Sequence, residues 1–290
     1  MKIILTGGAG DLGTLLCPEI KEKGFLPVVL DILPPGSDIE FRQVSIIERD
    51  KLKDCFKDCS IIVHIAAWHG VHEHRKEKSV YDFFDLNVAG TFNVFQTALE
   101  SGIDKILFIS STSIDDRFSI YGHTKILGEE MVRAYTARHK MNILTLRPRA
   151  FIPHWNRHIY KNYLEWAQWF WGGAVHIDDV AQAVLKGIEY LSAGTPSGEP
   201  LFLTVDGAYE YTDEDLKNWD KDGPGSTFKR HYPEYYELAL EYGLDPSRKP
   251  KKLDISETQR VLKYEPEYSL KSLLKELSEY GAEGPQVKDI

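Results

Sequence analysis

An α/β fold built on a doubly wound parallel sheet is what this sequence predicts, and two observations predict it. Short apolar runs recur with helical stretches between them, and the first run passes straight into a glycine-rich turn, TGGAGDLG, at residues 6–13. Alternation of that kind places the strands in one parallel sheet with helices on both faces. Residues 2–5 (KIIL) are the first strand, and a helix over 12–23 follows the turn. Residues 25–30 (FLPVVL) are the second strand, ending at Asp31. The run IIVHI at 61–65 is the next, followed by Ala66, Ala67 and a polar loop. Residues 81–99 have a helical pattern that Gly102 closes as a C-cap would. A strand at 105–109, a helix over 120–139 and a strand at 141–146 continue the series.

Two shifts in composition divide the chain. Residues 151–171 are crowded with Trp, Tyr, His, Arg and Asn, and after Asp206 the chain becomes tyrosine-rich, charged and broken by Pro and Gly. We therefore expect a sheet core over 1–150, completed by about 174–206, with 151–173 and 207–290 forming a small C-terminal substrate lobe. That lobe ends in a helix, a turn at Pro266 and a final helix.

The length of 290 residues is enough to bury a large core. A formal net charge of −9 argues against nucleic-acid binding, which requires a basic face. Three cysteines make no disulfide framework, and Cys55 and Cys59 have helical spacing without a second pair, so no metal site is expected. The N-terminal apolar stretch is too short for a signal peptide and no run reaches membrane-spanning length. The expectation is a cytoplasmic protein without membrane contact.

Glycine at positions 7, 10 and 13 has a physical reading. Gly7 permits an unusual φ, Gly10 removes a Cβ where a ligand must approach, and Gly13 lets the helix pack tightly on the strand. The helix start then turns free N–H groups toward an anion such as a pyrophosphate, a Rossmann-type arrangement. Asp31 ends the second strand at the separation where an acidic residue binds an adenosine ribose. No basic residue follows it until Arg42, which favours NAD over NADP. Farther along, Tyr121 and Lys125 in YGHTK lie four residues apart, on one face of a helix. A free tyrosine has a pKa of about 10, and a neighbouring ammonium favours its phenolate, so the pair can shuttle a proton. Ser111, just past the strand at 105–109, can hydrogen-bond the same substrate oxygen.

With these residues the chain resembles the extended short-chain dehydrogenase/reductases, also called the NAD-dependent epimerase/dehydratase family. The matching pieces are TGGAGDLG at 6–13, Asp31, IAA at 65–67, NVAGT at 87–91, SSTS at 110–113, YGHTK at 121–125, LRP at 146–148 and HIDDVA at 176–181. The resemblance implies Tyr121 as catalytic acid/base, Lys125 as its electrostatic partner and ribose ligand, and Ser111 as the donor to the carbonyl oxygen. It implies an NAD that takes or gives hydride. Its cofactor contacts would come from Gly7, Gly10, Asp11, Leu12 and Gly13, from Asp31, and from Ser45 and Ile46 near the adenine. Ile65, Ala66 and Ala67 would lie along the cofactor, with Asn87, Tyr121, Lys125 and Pro148 completing the set. Asn87 would order the active-site helix. The family resemblance also suggests a homodimer through the helices around 91–99 and 121–133.

The chain departs from the family pattern in ways that bear on the substrate. RQVSII offers Ser45 where the family carries an aspartate for the adenine amine. The segments 111–121 and 151–176, which in the family help wrap a nucleotide-sugar, are short. The expected substrate is therefore a small sugar, sugar acid or polyol, in which respect the chain is similar to uronate-type dehydrogenases. It resembles the sugar-nucleotide dehydratases less, because Thr112 and Ser113 stand where those carry an Asp-Glu pair. Thr112, Arg149, His154 and Arg157 are candidate substrate contacts, the basic ones through charge-assisted bonds to an anion. Two other readings stand beside the dehydrogenase: a nucleotide-sugar epimerase with retained NAD, and a non-catalytic dinucleotide-sensing regulator. His64 reads as a packed core histidine, and the segment WHGVHEHRKEK with His69, His72 and His74 as a solvated loop.

Overall fold

Seven strands form one sheet in the order β3-β2-β1-β4-β5-β6-β7 in the computed structural model, which describes residues 1–36, 38–116, 118–194 and 198–287. The strands are β1 (Lys2–Thr6), β2 (Leu26–Asp31), β3 (Glu40–Gln43), β4 (Cys59–His64), β5 (Lys105–Ile109), β6 (Asn142–Pro148) and β7 (Leu201–Val205). From β3 to β6 every pairing is parallel, with Ile4 opposite Val28 and Ile62, and Leu107 opposite both Val63 and Leu144. The strand order reverses direction at β1, so the carboxyl ends of β1 and β4 open a crevice where a doubly wound sheet binds its ligand. Helices α1 (Asp11–Glu22), α2 (Arg49–Cys55), α3 (Gly70–His74), α4 (Val80–Phe83), α5 (Thr91–Glu100) and α6 (Ile120–His139) connect the strands through β6.

Two departures from the sequence reading concern helices. The run expected over 81–99 is α4 and α5 joined by a π-helical segment, Phe84–Gly90, which carries Asn87. A π-turn admits one extra residue and re-aims the side chains after it, which a 3.6-residue pattern does not reveal. The segment read as a solvated loop contains α3, whose role is described below.

The chain forms two compact units: residues 1–148, 181–204 and 257–264, and residues 149–180, 205–256 and 265–290. The first differs from the expected core in two places. Residues 174–180 belong to the second unit, where Val175 N–H donates to Ala150 O and the Asp179 carboxylate accepts from Glu267 and Tyr268 N–H. Residues 257–264 return to the first, and Thr258 Oγ1 there donates to Thr204 O at 2.6 Å. The last three positions of the expected lobe lie outside the described residues.

The first unit has a core of aliphatic and aromatic side chains, including Ile4, Val28, Ile62, Phe95, Phe108 and Ile143. The second unit adds α7 (Tyr163–Trp171), the start of α8 (Ile177–Ser192), α9 (Asp213–Asp222), α10 (Ser226–His231), α11 (Tyr236–Glu241) and α13 (Leu270–Tyr280), while α12 (Ser256–Leu262) lies largely in the first. Its core is aromatic: Tyr163, Trp166, Phe170, Phe228 and Tyr232 are buried with Leu273, Leu274 and Leu277. The crowded aromatics of 151–171 are thus chiefly packing. Among the described residues no helix is long and apolar enough to cross a membrane.

Candidate active site

The first unit brings the glycine turn, the end of β2 and the end of β4 together. Gly7 has φ +69°, and a Cβ there would lie 2.8 Å from the backbone of Ala66, so the turn requires glycine. A Cβ at Gly13 would lie 2.4 Å from Gly8 O, so this glycine lets α1 close on the turn. Gly10 meets only Gly7 O, at 3.4 Å, which leaves room on its open side for a ligand. Gly10 begins α1 with no side-chain cap, so a helix N-terminus stands at the turn, the end of a helix that favours an anion. The Asp31 carboxylate accepts Ala9 N–H at 3.1 Å through one oxygen and Ile32 N–H at 2.7 Å through the other. Arg42 is turned away to Glu40 and to the carbonyls of Cys55 and Lys57. These residues fit a dinucleotide: a glycine cradle, an uncapped helix start, and a carboxylate without a neighbouring cation at the ribose position.

Ile65 and Ala66 N–H both donate to Thr6 O, which fixes the stretch after β4 beside Gly7. Ser45 N–H donates to Glu48 Oε2. Ile46 is buried in the core beneath Gly90, and its carbonyl accepts from Asn93 Nδ2. Pro148 is buried, and its carbonyl accepts Thr112 Oγ1 at 3.5 Å.

Tyr121, Lys125 and Ser111 converge. Ser111 follows β5, and its Oγ accepts Ser113 N–H at 3.1 Å. Its hydroxyl also hydrogen-bonds the Tyr121 phenol, which lowers a phenol pKa that burial pushes up to about 12. Lys125 is one turn along α6, with Nζ 5.7 Å from the centroid of the Tyr121 ring and donating to Ile109 O at 2.8 Å. Burial brings its pKa down to about 7, partly opposed by Glu129. Burial therefore disfavours a lone phenolate and a lone ammonium alike, and each charge relieves the other when both are present. Glu129 accepts Ser110 Oγ at 2.6 Å and Arg147 Nε at 2.8 Å, which anchors the strand end that carries Ser111.

Asn87 ties α6 to the end of β4. Its Oδ1 accepts Trp68 N–H at 2.7 Å, and its Nδ2 donates to Trp68 O at 2.9 Å and Thr124 Oγ1 at 3.0 Å. His64 is the satisfied core histidine expected, stacked on Phe108 and bonded to Thr6 Oγ1 at 2.7 Å and Thr91 Oγ1 at 2.9 Å. Burial takes its pKa down to about 3.

Sequence reasoning missed Glu73 and His69. Glu73 accepts the backbone N–H groups of Ile120 and Tyr121, and the His69 ring lies parallel to that of Tyr121 at 6.5 Å. The charged run around them reads as an exposed face, and no local signal marks a contact made 47 residues away.

The substrate candidates of the second unit divide. Arg149 Nη1 donates to Asp206, to Tyr209 Oη at 2.6 Å and to Lys251 O at 2.8 Å, so its guanidinium is already engaged within the second unit. His154 is enclosed by Trp155, Tyr163 and Trp166, and burial lowers its pKa to about 4. Arg157 is exposed and donates to Lys161 O. The second unit also contains a cavity of about 260 Å³, whose lining includes Trp171, Tyr209, Phe228 and Tyr268 and the cationic residues Arg248 and Lys249. Arg248 is held by Gly172 O and Lys249 by Asp220.

Comparison with known proteins gives a family and a fold. The model of the NAD dependent epimerase/dehydratase family matches residues 3–199. A putative UDP-glucose 4-epimerase of Methanocaldococcus jannaschii is 31% identical over 167 residues, 50% of this chain and 54% of that protein. An L-arabinose 1-dehydrogenase (NAD(P)(+)) of Haloferax volcanii is 25% identical over 173 residues, 50% of this chain and 65% of that protein. The chain spans about half the length of the first curated relatives it matches. Among solved structures, UDP-glucuronic acid 4-epimerase from Bacillus cereus, in complex with UDP-glucuronic acid and NAD, superposes with a TM-score of 0.68 at 20% identity. That match covers 98% of both chains and speaks for the fold.

Proposed function

Because the chain belongs to the NAD dependent epimerase/dehydratase family, whose cofactor is NAD, we propose that it oxidises a sugar hydroxyl and returns the hydride, as a nucleotide-sugar epimerase. The observation that carries the chemistry is the convergence of Ser111, Tyr121 and Lys125 at the carboxyl end of β5. Gly7, Gly10, Gly13, Asp31 and the stretch 65–67 would hold the cofactor, with Lys125 at its second ribose. Bound NAD supplies a hydride acceptor that later acts as donor.

The chain's own residues handle the proton. Tyr121 takes the hydroxyl proton of the sugar, Ser111 holds the same oxygen, and Lys125 offsets the phenolate. On the return step the tyrosine gives the proton back. Burial lowers the Lys125 pKa, so an anion formed beside it favours the charged ammonium.

Relatives described as UDP-glucose 4-epimerases support a nucleotide-sugar substrate. That moves the preference from the small-substrate dehydrogenase to the epimerase. The dehydrogenase of a free sugar or sugar acid remains a second reading, favoured by the short run between Ser111 and Tyr121. A homodimer is proposed on the exposed apolar side chains Tyr81, Phe84, Phe92 and Leu127 along the helices of the first unit. The test is incubation with UDP-glucose and, separately, with NAD and free sugars. Conversion to the 4-epimer without net reduced cofactor supports the epimerase. Absorbance of reduced nicotinamide with free sugars, and none with UDP-glucose, supports the dehydrogenase.

A further inference from the structure

We infer that α3 is a clamp on the first turn of α6, and that Glu73 is a positioning residue for Tyr121. The inference rests on the catalytic role proposed for that tyrosine. A helix leaves its first N–H groups without intrahelical partners. At the start of α6 these donors are all accounted for, and Glu73 takes two of them. Its Oε1 accepts Ile120 N–H at 2.8 Å and its Oε2 accepts Tyr121 N–H at 2.9 Å. Ser119 Oγ accepts Gly122 N–H at 3.0 Å, and Ser119 O accepts His123 N–H at 3.1 Å. A carboxylate there also meets the favourable end of the helix dipole.

The ring of Tyr121 is held by the same short helix. His69, at the cap of α3, lies parallel to it with an interplanar angle of 16°, and a Cβ on Gly70 would stand 3.3 Å from its Cδ1. The base of the clamp is itself fixed, because Asn87 engages both backbone groups of Trp68. Backbone and ring of Tyr121 are thus both referred to α3, and through Trp68 to the end of β4 beside the glycine turn. A bidentate carboxylate suits this position, because one side chain satisfies two adjacent donors and fixes the turn in two directions. General acid–base catalysis depends on such placement, and a displacement of about 1 Å can cost about 10²-fold in rate.

The experiment compares Glu73→Gln and Glu73→Ala with wild type. Gln offers one acceptor oxygen and Ala none, so the effect should come in two steps. The readouts are kcat and KM with UDP-glucose, NAD affinity by calorimetry, thermal unfolding, and amide hydrogen exchange at Ile120 and Tyr121. The expected result for Glu73→Ala is a kcat lower by roughly 10–100-fold, KM and NAD affinity within about threefold of wild type, cooperative unfolding, and faster exchange at the two amides. Glu73→Gln should lie between. Wild-type kcat in Glu73→Ala overturns the positioning role, as does an equal loss of NAD affinity and cooperative unfolding, which would make Glu73 a folding residue. Unchanged exchange at the two amides overturns the clamp whatever the turnover. A wild type inactive on UDP-glucose and on free sugars would instead sink the functional reading, and the exchange data would then decide the clamp alone.

Discussion

Tyr121 is the residue on which the proposed chemistry turns, and its surroundings say what its removal should do. Tyr121 is partly buried, hydrogen-bonded to Ser111 and within reach of Lys125, so Tyr121→Phe keeps the packing and deletes only the oxygen. We expect turnover to fall by about 10²–10⁴-fold, the usual worth of general acid–base catalysis, with NAD affinity by calorimetry nearly unchanged. Lys125→Met should lower both turnover and NAD affinity, because one ammonium is proposed to serve both the phenolate and the ribose. Gly7 offers a sharper steric test. With φ +69° and the Ala66 backbone 2.8 Å from where a Cβ would stand, Gly7→Ala should cost about 1–3 kcal/mol in chemical denaturation and weaken NAD binding with it. Wild-type stability in that variant would contradict the tight turn. These residues were legible in the sequence because each acts through local chain geometry. A glycine turn after a strand, an acidic strand end, and a tyrosine one helical turn from a lysine are all short-range patterns.

The elements that position those residues were only partly legible. The strands β1, β2, β4, β5 and β6 announce themselves as apolar runs, β3 (EFRQ) and β7 were not marked out that way, and α6 begins and ends where the pattern places it. The π-helical segment at Phe84–Gly90 has no such signature, although it sets where Asn87 and Thr91 point. Glu73 was invisible for a different reason: its value lies in two amides brought to it by the tertiary fold, while its neighbours in sequence are charges of both signs. Arg149 is the opposite case. A basic residue after a core strand looks available to an anion, but the chain satisfies it internally with Asp206 and Tyr209.

Burial of His64 between β4 and the helix behind it makes stability depend on pH. Its folded pKa of about 3 lies below the unfolded value of about 6.5, so the neutral ring contributes stability that is present above pH 6.5 and lost as pH falls toward 3. The unfolded state binds the proton first, and the loss over that window has an upper bound on the order of 4 kcal/mol. Denaturation midpoints from pH 7 to pH 4 should fall in the wild type and fall less steeply in His64→Asn. Parallel slopes would mean that His64 is not the group responsible.

The whole molecule divides into a sheet unit that carries the proposed cofactor cradle and catalytic residues and a second unit with an aromatic core and a cavity that Arg248 and Lys249 help line. Composition revealed where the second unit starts but not that residues 257–264 return to the first, because that return is decided by packing against the end of β7. The cradle predicts cofactor choice. A 2′-phosphate would face the Asp31 carboxylate with Arg42 turned to Glu40 and two carbonyls, a repulsion worth roughly 1–3 kcal/mol. Calorimetry should therefore give NAD the higher affinity by about 5–150-fold, and tighter binding of NADP would contradict the reading of Asp31.

The central claim is that this chain moves a hydride off and back onto a sugar carbon, with Tyr121 carrying the proton. Product analysis after incubation of the wild type and Tyr121→Phe with NAD and UDP-glucose tests it most directly. The wild type should yield the 4-epimer without accumulating reduced nicotinamide, and the variant should yield almost no product despite intact NAD binding. Equal product from both proteins would contradict the claim.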